Sequence, residues 1–387
     1  MMDTGNMIYL DNAATSFPKP RSVTEEVRRA LIRYGGNPGR GAHRLSLEAA
    51  EKIFECRTLA AKLFGIDDPA RICFSMNTTQ ALNTVIKGTL REGDHVLISD
   101  MEHNAVYRPI WKLSREGKIS YDIFPSMTLD RGRNAARICG AIAKRCRPNT
   151  RMVICTCASN LCSVTMPIRE IGAFCHRHGI LFVADGAQAA GHMPILVDEM
   201  ALDALCVPGH KGLLGPQGVG MTVLGKDFLP DSLYEGGNGV DSLEGSMPPY
   251  SPEHLEAGTL PTPAIAGLTE GLKWLLAVGV EAVEEYEKTL YRKARELLGN
   301  MDGVELYAPE YEGATLLFNV KGLSSELTAA RLDEMGICTR AGYHCSALGH
   351  KTLGTPEGGA VRVGIGPFNT ENQILHLAEA LCRIATE

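Results

Sequence analysis

Through the first two-thirds of the chain, short runs that are apolar at nearly every position alternate with stretches whose apolar residues recur at helical spacing. The runs cover residues 71–75, 95–99, 152–156, 180–184, 204–207 and 219–224. Runs without polar alternation suit strands buried on both faces, as in a parallel sheet covered by helices. The intervening helices have readable ends. Ser22 with Glu25 reads as a capping box. Pro167 suits a first helical position and Gly179 a stop, bracketing IREIGAFCHRH. The alternation predicts an α/β protein with a large, mainly parallel sheet. From about Leu233 to Thr259 the pattern breaks into a Gly/Pro-rich stretch, and a loop that long in a compact domain is usually functional or disordered. Helical patterns at 264–279 and 280–298 follow, then strands near 316–320 and 361–365, then a last helix opened by a capping box of Thr370 and Gln373. The expected division is a large α/β domain over 16–262 and a smaller α+β domain made of 263–387 together with residues 1–15.

The composition changes this picture little. With 387 residues, 44% hydrophobic and 22% charged, the chain reads as a globular protein of two or three domains. The net charge is −6, and its densest basic cluster is only Arg145, Arg147 and Arg151, so no nucleic-acid partner is expected. The longest apolar stretches, such as 274–280, fall far short of the roughly 20 residues that cross a bilayer, so no membrane is expected either. The N-terminus MMDTGNMIYLDNAAT lacks a basic region followed by an apolar run, which predicts a cytoplasmic protein. Twelve cysteines form no Cys-x-x-Cys pair. The grouping of Cys155, Cys157 and Cys162 has no second pair to match it, so no metal site is expected and the thiols suit a reducing compartment.

Candidate chemistry sits at strand ends. Asp185 closes the run 180–184, where open α/β sheets place ligands, although an Asp there also serves as a cap or turn former. Lys211 lies in PGHKGLLGPQG beside a second strand end, and a lone lysine there is ordinarily solvent-facing. Together they suit two roles: a Schiff-base lysine for a carbonyl cofactor, and an acid that keeps a pyridine nitrogen protonated. Asn77, Thr78, Thr79 and Gln80 follow a strand and open a helix, which fits either an anion site or a plain N-cap. His210 and Gln188 could add donors, and His103 at the same sheet edge could stack on an aromatic ring or be a surface histidine. Cys345 in RAGYHC is a candidate thiolate nucleophile among eleven other thiols. Arg362 in the apolar VRVGIG must meet a carboxylate, whether structural or a substrate's own.

These motifs, taken in order, resemble the cysteine desulfurases and selenocysteine lyases of the class V aminotransferase family, which are fold-type I pyridoxal-phosphate enzymes. The resemblance rests on YLDNAATSFPKP at 9–20, GRGAHRLS at 39–46, NTTQALN, MEHNAV, SNLCSVTMPI, VADGAQAAGHMPI, GHKGLLGPQGVG, EAGTLPT, RAGYHC and VRVGIGPFNT. It implies pyridoxal 5'-phosphate as cofactor, with Lys211 its attachment point, Asp185 at the pyridine nitrogen and His103 stacked on the ring. It puts Asn160 and Gln188 near the phenolic oxygen, and Thr78, Thr79 and His210 at the phosphate. Thr259 reaches that phosphate from the partner of a homodimer. Arg362, with Asn160, takes the substrate carboxylate, and Cys345 accepts sulfur from L-cysteine, leaving L-alanine. A sulfur-acceptor protein or thiol follows, in sulfur mobilisation of the kind that feeds iron–sulfur cluster assembly. The short interval from Cys345 to Arg362 resembles the group with a compact cysteine loop. Three positions depart from the pattern: Pro208 stands where a phosphate donor is usual, Tyr343 replaces a common histidine, and Asn104 follows His103 where a second histidine is frequent. A selenocysteine lyase, a β-eliminating C–S lyase that needs no Cys345, and a non-enzymatic sulfur-carrying scaffold are the alternatives.

Overall fold

The computed structural model describes residues 7–39, 41–126, 134–355 and 357–386. Residues 1–6 of the N-terminal segment and residue 40 of the 39–46 motif lie outside them. The large sheet has seven strands in the order Ile72–Ser75, Gly220–Leu224, Ala204–Pro208, Leu181–Asp185, Thr150–Thr156, His95–Ser99, Ser120–Phe124. Gly220–Leu224 runs antiparallel to both neighbours and the other pairings are parallel. The reversal has a simple cause: residues 209–219 are too few for the crossover helix that a parallel return requires. Period-two alternation then divides the four parallel strands at the centre between two cores. Leu97, Val153, Ala184 and Leu205 pack on one face. Val96, Ile154, Val183 and Ala204 pack on the other. Strand Ser120–Phe124 escapes the sequence pattern because, as an edge strand, it is only partly buried and mixes polar with apolar residues.

A second, antiparallel sheet runs Arg340–Gly342, Ala360–Gly364, Thr315–Val320, Val304–Tyr307. Helices Val280–Gly299 and Glu371–Thr386 close a separate core over it, containing Leu290, Phe318, Val363 and Leu377. Strand Ile8–Tyr9 pairs with Ile337–Cys338, which ties the N-terminal segment to this unit. Helix Thr262–Val278, however, buries Ile265, Leu268, Leu272 and Leu275 in the large-sheet core. By packing, the handover expected after residue 262 therefore falls at Gly279, where the chain turns by 82° into the next helix. Gly279 has φ +92°, a conformation open to glycine at little cost.

Two of the helix ends differ from the sequence pattern. Helix Arg21–Arg33 starts just after Pro20, which has no side-chain acceptor, so Ser22 lies inside the first turn and Glu25 pairs with Arg21 at 2.6 Å instead of capping. Pro167 is the N-cap of Ile168–Arg177 rather than its first residue, and Gly179 follows the C-cap at φ +64°. The capping box of Thr370 and Gln373 forms in both directions, Gln373 N–H to Thr370 Oγ1 and Thr370 N–H to Gln373 Oε1.

Candidate active site

The carboxyl ends of Thr150–Thr156, Leu181–Asp185 and Ala204–Pro208 open into a cavity of about 240 Å³. Its wall takes Thr78, Thr79, His103, Asn160, Asp185, Gln188, His210 and Lys211 from the large-sheet unit. Across from them stand Arg340, His344, Cys345 and Arg362, with Ala13 and Ala14 of the N-terminal segment. Ten of the eleven site residues read from the sequence are thus brought together. The exception is Thr259, which is exposed, accepts from Asn37 Nδ2 at 3.4 Å and lies outside this wall.

Asp185 is buried on the floor, where Oδ1 accepts from Ala187 N–H at 2.9 Å. Burial raises its pKa, opposed by that hydrogen bond and by Lys211. Lys211 is pushed the other way: burial and then Arg362 lower its pKa to about 8. The N-terminal segment grips the backbone here. His210 O accepts from Thr15 Oγ1 at 3.1 Å and Lys19 Nζ at 2.7 Å, and Lys211 O accepts from Ser16 Oγ at 2.9 Å. This gives the motif at 9–20 a physical purpose that its sequence does not display.

His103 fills both of its readings at once. It caps helix Asn104–Arg115, with Nδ1 accepting from Ala105 N–H at 3.0 Å, and it lines the cavity. That acceptor role leaves the proton of the neutral ring on Nε2. Burial, then Lys211 and Arg362, lower its pKa to about 4. His210 falls to about 4 by burial and then the charges of Lys211 and Lys19. At the other end of the cavity helix Thr78–Thr89 begins, with Asn77 Oδ1 taking Gln80 N–H at 2.9 Å. The N–H groups of Thr78 and Thr79 are then the donors that a helix start presents to an anion. Gly220 permits this approach, since a Cβ there would stand 2.9 Å from Asn77 Cα. Pro208 lines the cavity without an N–H, so it adds no backbone donor.

Arg362 is buried, and the structure supplies the carboxylate that its burial demands. Nη2 donates to Asp11 Oδ1 at 2.8 Å and Nη1 to Asn160 O at 2.9 Å. Burial lowers the Arg362 pKa and Asp11 opposes the shift. Gln188 Nε2 donates to Ala13 O at 2.8 Å, and Asn160 Nδ2 to His344 O at 2.6 Å. Cys345 is exposed at the cavity edge. Sequence reasoning missed Asp11, Arg340 and His344 as site groups, and Glu102, which precedes His103 in the chain and is fully buried. Glu102 Oε1 accepts from Ser99 Oγ and from Thr156 N–H, and burial raises its pKa to about 8. Asp11 and Arg362 are far apart in sequence, so no spacing pattern could have joined them. Glu102 adjoins His103 in MEHNAV and had that single local signal.

Among the described residues, Thr78 Oγ1, Asn160 Oδ1, His210 Nδ1 and Arg362 Nε are buried without a hydrogen-bond partner, and all four belong to the cavity wall. Buried polar atoms are ordinarily satisfied, so their convergence marks a place for a polar ligand. With Lys211, Arg340 and Arg362 facing Asp185, that ligand is anionic. A lysine held near neutrality, a carboxylate below it and donors at a helix start fit the aldehyde, ring nitrogen and phosphate of pyridoxal phosphate.

An α/β fold with such a site at its strand ends defines a pyridoxal-phosphate type of enzyme. Residues 8–377 match the Aminotransferase class-V family, and the chain belongs to it. It is 32% identical to a probable cysteine desulfurase of Methanothermobacter thermautotrophicus, over 98% of this chain and 94% of that one. Among solved structures it is similar to the apo cysteine desulfurase of Thermococcus onnurineus NA1, with TM-score 0.86, 27% identity and coverage of 98% and 95% of the two chains. It is likewise similar to a cysteine desulfurase of Escherichia coli, with TM-score 0.86, 25% identity and coverage of 99% and 95%.

Proposed function

We propose that this chain is a pyridoxal-phosphate-dependent cysteine desulfurase that converts L-cysteine to L-alanine and moves the sulfur to Cys345 as a persulfide. The observation that carries this is the convergence of Lys211, Arg362 and Cys345, from both sheets, on one cavity. Thr78, Thr79 and His210 would hold the cofactor's phosphate, Asp185 its ring nitrogen, His103 one face, Gln188 and Asn160 the phenolic side, and Lys211 the aldehyde carbon. Bound there, the cofactor supplies an electron sink for the substrate's Cα.

The chain's own groups do the rest. Arg362 and Asn160 orient the substrate carboxylate through charged and amide N–H groups. Lys211, with its pKa near 8, takes a proton from Cα as the neutral amine and returns one later. Sγ of Cys345 bonds to the substrate sulfur as the Cβ–S bond breaks. Of the two thiol hydrogens that enter, one ends on Cβ of alanine and the other on the persulfide, so the step needs no added oxidant. A sulfur-acceptor protein or thiol then reduces Cys345. The homodimer, with Thr259 completing a neighbour's phosphate site, belongs to the same proposal, as does the reducing cytoplasm, which twelve free cysteines suit.

The test is to incubate the holoenzyme with L-cysteine and a thiol reductant and to quantify alanine, pyruvate and sulfide, with Cys345→Ser in parallel. Alanine equal to sulfide, both lost in the variant, is the expected result. Pyruvate that survives the substitution would make the chain a β-eliminating lyase, and no turnover in a colourless protein would make it a scaffold. Faster turnover of selenocysteine, with the same dependence on Cys345, would make it a selenocysteine lyase.

A further inference from the structure

Cys345 stands on a turn that the backbone disfavours. His344 and Cys345 are consecutive non-glycine residues at φ +48° and +57°, where Cβ crowds the following carbonyl oxygen. Such a conformation persists only where its surroundings hold it. Three main-chain contacts do so: Asn104 N–H to Cys345 O at 2.7 Å, Ser346 N–H to Tyr343 O at 2.9 Å, and Asn160 Nδ2 to His344 O. A fourth hold runs through side chains that the proposed reaction does not use. His344 Nε2 lies 3.1 Å from Arg340 O. A carbonyl only accepts, so the neutral ring carries its proton on Nε2 and leaves Nδ1 as an acceptor. Facing that Nδ1 at 3.5 Å is Nε2 of His350, with the two rings 13° from parallel. Nε2 of His350 is then the donor, and its Nδ1, 2.8 Å from Thr355 Oγ1, takes the threonine hydroxyl, whose other acceptor within reach, His350 O, stands farther off at 3.5 Å.

The chain Thr355–His350–His344 is buried throughout, at 4%, 1% and 6% exposure. Burial lowers the pKa of His344 to about 3 and lowers that of His350 too, so both rings are neutral, as the chain of donors requires. The edge of the Tyr343 ring packs on His350 at 5.6 Å, and the Tyr343 hydroxyl accepts from Gly358 N–H. His344 lines the cavity, whereas His350 stands behind it.

We propose that His350 is a positioning residue for the sulfur-accepting turn: oriented by Thr355, its Nε2–H fixes the His344 ring and thereby where Cys345 stands in the wall shared with Lys211 and Arg362. What the thiol does there rests on the function proposed above. The geometry of the turn does not.

Three variants test it. His350→Leu keeps apolar bulk and removes both hydrogen bonds. His350→Gln keeps an N–H donor within reach of His344, and Thr355→Val removes only the group that orients His350. Two readouts are needed: kcat and KM for alanine formation by the holoenzyme, and amide hydrogen exchange at Asn104 and Ser346 of the cofactor-free protein. His350→Leu is expected to lower kcat on the order of tenfold to a hundredfold, with KM for cysteine and the bound-cofactor absorbance unchanged. Exchange at both amides speeds up, His350→Gln restores both readouts, and Thr355→Val falls between. A His350→Leu protein with wild-type kcat and wild-type exchange overturns the proposal. So does one in which kcat, KM and cofactor retention worsen together and glutamine rescues none of them. If the parent protein makes no alanine, the functional reading fails, and the exchange data still decide whether His350 holds the turn.

Discussion

A lysine that works as a base near neutral pH is one whose charge the fold opposes. Burial and Arg362 lower Lys211 from 10.5 to about 8, more than Asp185 and Asp11 restore. Between those two values the unfolded chain binds more protons than the folded one, so this group's contribution to stability rises with pH there. Below about pH 8 its cost is fully present, about 3 kcal/mol at 1.36 kcal/mol per pKa unit. Lys211→Met keeps the length and removes the charge. The cofactor-free variant is therefore expected to gain up to about 3 kcal/mol in urea unfolding at pH 7 while losing activity. That gain should shrink as pH rises from 8 to 10.5. A gain that is absent at pH 7, or flat with pH, would mean that burial does not set the lysine's proton affinity. At this scale the sequence was a good guide wherever a residue's chemistry is local. Lys211, Asp185 and the Thr78–Thr79 helix start each sit at a strand end, where position alone suggests a role. Asp11 was illegible because its partner Arg362 is brought near only by the fold, and His350 because its contact with His344, six residues earlier, depends on the left-handed turn between them.

Elements obey the same division. A helix start is written in the sequence when its cap is the residue that begins it. Thr370 and Gln373 meet that condition, since each accepts from the other's backbone N–H at the mouth of helix Glu371–Thr386. Ser22 and Glu25 fit the same capping-box pattern, yet Pro20 sets the start of Arg21–Arg33 earlier and leaves exposed Ser22 nothing to cap. The contrast is measurable. Thr370→Ala is expected to cost about 1 kcal/mol. Ser22→Ala should change stability by less than about 0.5 kcal/mol. Urea midpoints at constant m-value read both, and an equal loss from the two substitutions would show that the capping geometry is not what matters. The strands divide likewise: runs buried on both faces were visible, while the half-buried edge strand Ser120–Phe124 was not.

At the scale of the whole molecule, the cavity exists only while the two sheets keep their relative place, because Lys211 and Asp185 come from one unit and Arg362 and Cys345 from the other. Arg362, whose Nη1 donates to Asn160 O at 2.9 Å, is one tie across the site. A second is the pair of His192, just beyond strand Leu181–Asp185, with Glu287 on helix Val280–Gly299, at 2.8 Å. They border a smaller cavity of about 100 Å³ that Gln188 also lines, so the tie lies directly behind the site. Burial alone would lower the His192 pKa, but Glu287 outweighs it and the pKa rises above 6.5. A histidine raised in the folded state contributes stability that is complete below its unfolded pKa and lost as pH rises through its folded one. Glu287→Ala leaves His192 buried with no counter-charge, a change that costs roughly 3 kcal/mol where the histidine is protonated in the native protein. The penalty should therefore be larger at pH 6 than at pH 8, as read by urea unfolding of the cofactor-free protein at each pH. A penalty independent of pH would mean that Glu287 acts by packing alone, and that the two sheets are joined without help from this charge.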